Sequence, residues 1–157
     1  MKTAALLYVR NDNYKEDERV IVCLTSMLDT FDEVMIVDWN TPEGVEPLLW
    51  KLQDRLPKTN RLKHYIISPD NAKALNNYDP EAQSCTFVTA INLLLRRCDA
   101  DWVVVSTIDI IAPNRDKFNS FLSTANENTF YTLSRRDFEI SNLEDYGFEN
   151  WKEFRDI

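Results

Sequence analysis

The sequence predicts an α/β domain with a mostly parallel central sheet and helices on both faces. Three observations predict it. Strand-like and helix-like stretches alternate in the order β-α-β-α-β-α-β-α-β and then give way to a tail; such alternation implies parallel pairing through right-handed crossovers. The run Trp102-Val103-Val104-Val105 is apolar without alternation, which suits an interior parallel strand covered on both faces. That run leads into Ser106-Thr107-Ile108-Asp109-Ile110, where a carboxylate stands among isoleucines. Ligands of open α/β sheets bind beyond the carboxyl ends of the strands, where this acid is expected.

Each element follows from local pattern. Ala4 to Val9 is a short apolar strand ended by the polar break Arg10-Asn11-Asp12-Asn13. From about Asp17 to Phe31, Val20, Cys23, Leu24, Met27, Leu28 and Phe31 keep helical spacing. Glu33 to Asp38 is a second strand, and Trp39-Asn40-Thr41-Pro42-Glu43-Gly44 has turn chemistry. Val45, Leu48, Leu49, Leu52 and Leu56 form a second helical stripe stopped by Pro57. Leu62 to Ile67 is a third strand. Residues 70 to 79 are polar, with little periodicity, and are expected to be a surface loop. Asp79-Pro80 is expected to start the next helix, as an Asp cap followed by Pro at the first helical position. That helix carries Phe87, Ala90, Ile91, Leu94 and Leu95, with Arg96 and Arg97 near its C-terminus. After the valine strand, Pro113-Asn114 begins a helix with Phe118, Phe121 and Leu122. Phe130 to Leu133 is expected to be a fifth strand, followed by the charged break Ser134 to Asp137 and an acidic, aromatic tail from Ser141 to Ile157. No linker or repeat divides the 157 residues, so residues 1–157 are expected to form one domain.

Composition narrows the function. The net charge of −8 argues against a general nucleic-acid binder, whose affinity rests on phosphate neutralisation. No stretch approaches the ~20 apolar residues of a membrane span. Cys23, Cys85 and Cys98 are odd in number and lack C-x-x-C spacing, so they are expected to be reduced thiols in a cytoplasmic protein. His64 is the only histidine, which excludes sites built on several imidazoles. Its neighbours Tyr65, Ile66 and Ile67 place it in a strand, as a packed or edge residue. Gly44 and Gly147 are the only glycines, so a glycine-rich phosphate loop is absent.

An ionised Asp109 among apolar neighbours is costly without a partner. A hard cation shared with substrate phosphates is one partner. The alternative is a turn or capping residue bonded to nearby backbone N–H groups.

Several motifs then agree in order. A strand ends near Arg10-Asn11. Another ends in Val37-Asp38. A helix carries Ala90-Ile91-Asn92, and the strand that follows delivers Thr107-Ile108-Asp109. Over residues 4 to 122 this resembles the GT-A glycosyltransferases, particularly the family 2-like group, in which an A-x-N helix precedes a D-x-D strand. The resemblance implies a Rossmann-like GT-A nucleotide-diphospho-sugar transferase fold. It also implies a UDP- or GDP-sugar donor, a glycan, protein or lipid acceptor, and Mn²⁺ or Mg²⁺ bound at Asp109. It assigns Asp38 to the nucleobase, Arg10 and Asn11 to the nucleoside, and Asn92 and Thr107 to the nucleotide-sugar. Arg135 and Arg136 are candidates for the diphosphate; the alternative is a solvated break with Asp137 as local partner. Thr107 replaces the first acid of D-x-D, and Ile91 stands where the helix motif usually has Arg.

The transfer needs a carboxylate to take the acceptor's proton. Asp145, Glu149 and Glu139 are candidates, and Glu149 is favoured because Tyr146-Gly147-Phe148-Glu149-Asn150-Trp151 is similar to the G-x-G-x-E-D segment of galactosyltransferase-like enzymes, with Asn150 in place of the second acid; the alternative is a helix-surface glutamate beside Lys152 and Glu153. Trp151 is open to two readings, a sugar platform or a packed aromatic. The chain is short for the family, so its acceptor half is expected to be reduced or supplied from elsewhere. Two expectations follow: a metal-dependent hexosyltransferase, or a non-catalytic GT-A-like binding or assembly module.

Overall fold

The computed structural model describes residues 1–10, 17–39, 41–76, 87–132 and 151–152. Its elements are β1 (Thr3–Val9), α1 (Asp17–Thr30), β2 (Glu33–Trp39), α2 (Leu48–Lys51), β3 (Leu62–Ile67), α3 (Pro69–Asn76), α4 (Phe87–Leu95), β4 (Trp102–Ser106) and α5 (Arg115–Leu122). Four strands form one sheet in the order β3-β2-β1-β4, and every pairing is parallel. Among the described residues no helix is long and apolar enough to cross a membrane.

Strand alternation divides the apolar residues between two faces. Ala5, Leu7 and Val9 of β1 and Val34 and Ile36 of β2 pack with α1, α2 and α5. Ala4 and Leu6 of β1 and Met35, Val37 and Trp39 of β2 pack with Ala72 of α3 and with Ala90, Ile91 and Leu94 of α4. A uniform crossover hand explains the division. The steps β1 to β2 to β3 run one way and put α1 and α2 on one face. The return step from β3 to β4 runs the other way and puts α3 and α4 on the opposite face.

Four expectations change. β4 was expected inside the sheet, but it forms an edge of the described sheet. Trp102, Val103 and Val104 are half-buried, and Val105 is 43% exposed. Residues 130–132 are not strand: Phe130 is exposed, and the Tyr131 ring packs edge-on against Phe121 with centroids 5.1 Å apart. The Tyr131 hydroxyl accepts a bond from the Asn126 amide at 2.8 Å, so the segment folds back over α5 instead of pairing with β4. The second helical stripe is α-helical only over Leu48–Lys51, yet Leu49, Leu52 and Leu56 still face the core. Val45 belongs to a turn before it, where Gly44 has φ +81°, a left-handed conformation that glycine adopts without strain.

Residues 70–76 are helix, not loop. Ser68 caps α3: its Oγ accepts from the Asn71 amide at 3.3 Å and its carbonyl from the Ala72 amide at 2.9 Å. Pro69 occupies the first helical position, where a missing N–H costs nothing. The signature was present at Ser68-Pro69-Asp70. The proposed start at Asp79-Pro80 lies outside the described residues, as does Leu133.

The amino-terminal edge of the sheet is held by charge. The Glu33 carboxylate is almost buried and pairs with Lys63 and, at 2.9 Å, with Lys2. Burial pushes its pKa up, but the two ammonium groups outweigh burial and hold it below the ordinary carboxylate range. Stability from a depressed carboxyl is complete above its unfolded pKa and is lost as pH falls through its folded pKa. Both lysine side chains are partly exposed, so solvent screens much of the attraction and the network contributes little net stability. Glu33→Gln is therefore expected to lower Tm only slightly at neutral pH. The variant's Tm should also fall less than the wild type's between about pH 5 and pH 3 in calorimetry.

Candidate functional site

The carboxyl ends of all four strands lie along one edge of the sheet. Strand order reverses at β1, which has β2 on one side and β4 on the other. The crevice beyond such a reversal is where doubly wound folds bind ligands. Tyr8, Val9 and Arg10 reach this edge from β1. Thr107, Ile108 and Asp109 reach it from β4, since Leu7 of β1 is in register with Ser106. Asp38 reaches it from β2, in register with Val9. Parallel strands lie about 4.8 Å apart, so the strand that carries Asp38 and the strand that leads to Asp109 are roughly 10 Å apart at the same edge.

The two acids are in different environments. Asp109 is exposed on a turn, and the Thr107 hydroxyl donates to its Oδ1. Thr107 thus orients the Asp109 carboxylate. Asp38 is fully buried. Its Oδ1 accepts from the Thr41 hydroxyl, and its Oδ2 accepts from the Leu48 amide at 2.8 Å. Leu48 opens α2, so Asp38 caps a helix ten residues further along the chain and satisfies an amide that has no partner within that helix.

The β4 loop that carries Asp109 rests on α1. Cys23 Sγ lies 3.8 Å from the Thr107 carbonyl oxygen as a weak donor. The Ala112 amide donates to Ser26 Oγ at 2.9 Å, and Thr30 Oγ1 donates to the Pro113 carbonyl at 2.6 Å. Ser26 and Thr30 are buried on the same stripe of α1 as Cys23 and Met27. Asn114 then caps α5 by accepting from the Asp116 amide at 2.8 Å. Burial pushes the Cys23 thiol up to about 12, and the nearby Asp109 charge acts in the same direction. Cys23 is therefore a packing residue at neutral pH rather than a nucleophile. Cys98 is half-buried, and both are free thiols; Cys85 lies outside the described residues.

On the other face of the sheet Tyr8 packs edge-on against Phe87, at the start of α4, with centroids 5.1 Å apart. Phe87 is 41% exposed, so an aromatic surface borders the end of β1. Ile91 is buried in the core of that face, and Asn92, next to it on α4, is solvent-exposed. His64 is half-buried in β3; burial lowers its pKa and the Asp38 charge opposes that shift. Trp151 is buried, with the Lys152 ammonium 5.8 Å from its ring centroid. Asn11, Arg135, Arg136, Glu139, Asp145 and Glu149 lie outside the described residues.

Among the described residues no group of three or more His, Cys, Asp or Glu side chains could hold a metal ion. One exposed carboxylate fits a hard cation of the Mg²⁺ type, which keeps most of its ligands as water and substrate phosphate. It does not fit a dedicated protein cage.

The chain matches no protein-family model, and no curated protein matches it.

Proposed function

We propose that this protein is a glycosyltransferase that takes a sugar from a UDP- or GDP-sugar with Mn²⁺ or Mg²⁺ at Asp109. The observation that supports it most is the exposed Asp109 carboxylate at the carboxyl end of β4, beside the point where strand order reverses. The motif order from Arg10 to Asp109 agrees with the same reading. Asp109 is the protein ligand of the cation, and the Thr107 hydroxyl holds that carboxylate in one orientation. Arg10, at the end of β1, lies against the nucleoside of the donor. Tyr8 and Phe87 offer an aromatic edge for the nucleoside. When bound, the divalent ion supplies Lewis-acid stabilisation of the charge on the departing nucleoside diphosphate. Glu149 or Asp145 takes the acceptor's proton.

The buried Asp38 favours a second reading. Its two oxygens are engaged by Thr41 and Leu48, which leaves the nucleobase without the carboxylate that the resemblance assigns to it. A GT-A-like binding or assembly module accounts for that engagement together with Thr107 and Ile91. The two readings separate on turnover. Incubation with UDP- and GDP-sugars and Mn²⁺ is expected to release nucleoside diphosphate, by slow donor hydrolysis even without an acceptor. Chelation by EDTA is expected to stop it. Nucleotide binding with no release over long incubation would leave the binding module.

A further inference from the structure

We infer that Ser26 and Thr30 of α1 are positioning residues for Asp109, holding the loop that presents its carboxylate; the loop's connection to ligand binding rests on the reading above. A buried hydroxyl needs a hydrogen-bond partner, and in a helix its own backbone carbonyls can supply one. Ser26 and Thr30 are both buried, 0% and 1% exposed, and lie four residues apart on one face of α1. Their partners include polar groups in the segment after β4. Ser26 Oγ accepts from the Ala112 amide at 2.9 Å and donates to the Cys23 carbonyl at 2.8 Å. Thr30 Oγ1 lies 2.6 Å from the Pro113 carbonyl and 3.0 Å from the Ser26 carbonyl, so one proton spans loop and helix.

The contacts act on a segment with no sheet partner among the described residues. β4 ends at Ser106 and α5 begins at Arg115, so residues 107–114 cross from the carboxyl edge to the next helix. Ile108 and Ala112 are buried beside α1, while Asp109 between them is exposed. The buried hydroxyls fix the far end of this crossing, and the Cys23 thiol touches its near end at Thr107. Asp109 is thereby displayed from a fastened arch. A cation shared between one protein carboxylate and a diphosphate is sensitive to where that carboxylate stands, because a loosely held first contact weakens the whole site.

The test uses the full chain, with amide hydrogen exchange and titration of UDP or GDP in the presence of Mn²⁺. In Ser26→Ala the Ala112 amide is expected to exchange at least about tenfold faster while the β1 and β2 amides keep their protection. Nucleoside diphosphate affinity is expected to fall about tenfold. Thr30→Val, which keeps the shape and removes the hydroxyl, is expected to weaken affinity similarly, and Thr30→Ser to restore it. Thr30→Val read against Thr30→Ser decides the matter if Ser26→Ala does not fold. Unchanged Ala112 exchange in Ser26→Ala, or unchanged affinity in both hydroxyl-deleted variants, overturns the inference. If the wild type binds neither nucleotide, the glycosyltransferase reading fails. Selective acceleration at Ala112 would still show that the hydroxyl holds the arch.

Discussion

Asp38→Ala is expected to lower stability by about 2–4 kcal/mol in the absence of any ligand. The carboxylate is fully buried and bridges the Thr41 hydroxyl to the Leu48 amide. Its removal strands a buried amide at the start of α2 and takes one partner from the buried Thr41 hydroxyl. α2 spans only Leu48–Lys51, too short to hold its own start, and Leu48, Leu49 and Leu52 behind it belong to the core against α1. For a domain of this length the loss is roughly 5–15 °C in Tm. Asp38→Asn is expected to be intermediate: the amide keeps one acceptor oxygen but turns an N–H₂ group toward one of the two donors. Thermal unfolding of the two variants checks both values. A Tm within about 1 °C of the wild type for Asp38→Ala would show that the carboxylate is not a structural cap.

Asp109→Ala is expected to do the opposite. The side chain is exposed, so unliganded stability should change by less than about 0.5 kcal/mol. Mn²⁺-dependent binding of UDP or GDP should fall by more than about a hundredfold, because the carboxylate contact proposed for the cation is lost. At a ligand concentration about a hundred times Kd, the wild type gains about 2.7 kcal/mol from binding, and the variant should gain almost none. Thr107→Val is a milder change; it removes the hydroxyl that orients Asp109 and keeps the carboxylate. Its loss of affinity is expected to be a few fold. Unchanged metal-dependent binding in Asp109→Ala would place the cation elsewhere.

The coarse architecture was readable because it depends on periodicity. β1 and β2 are buried on both faces and show as unbroken apolar runs, and α1 shows as a stripe at helical spacing. β4 has the same run and is nevertheless an edge among the described residues, because a sequence pattern reports the chemistry of a strand and not its neighbours. α3 was missed because its helical face is mostly polar and buries little beyond Ala72; the Ser68-Pro69 cap was the better signal.

At the site, the placement of Thr107 and Asp109 at a strand end was legible from the break after Val105. The structural role of Asp38 was not, since its partners Thr41 and Leu48 meet it only once the turn at Gly44 has folded back. Ser26 and Thr30 went unread for a related reason. They fall on the core stripe of α1 beside Cys23, Met27 and Phe31, but hydroxyls do not register in an apolar count. A small polar residue inside an apolar stripe is the sign to look for, because burial forces it to find a partner.

The central claim is that a divalent ion and a nucleoside diphosphate meet at the carboxyl edge between β1 and β4. Paramagnetic broadening of amide resonances by substoichiometric Mn²⁺, with and without UDP or GDP, tests it most directly. Nucleotide-dependent broadening is predicted at residues 8–10 and 106–110, and it should vanish in Asp109→Ala. Broadening centred on Glu33, Asp99 and Asp101 at the opposite edge, or none that depends on nucleotide, would contradict it.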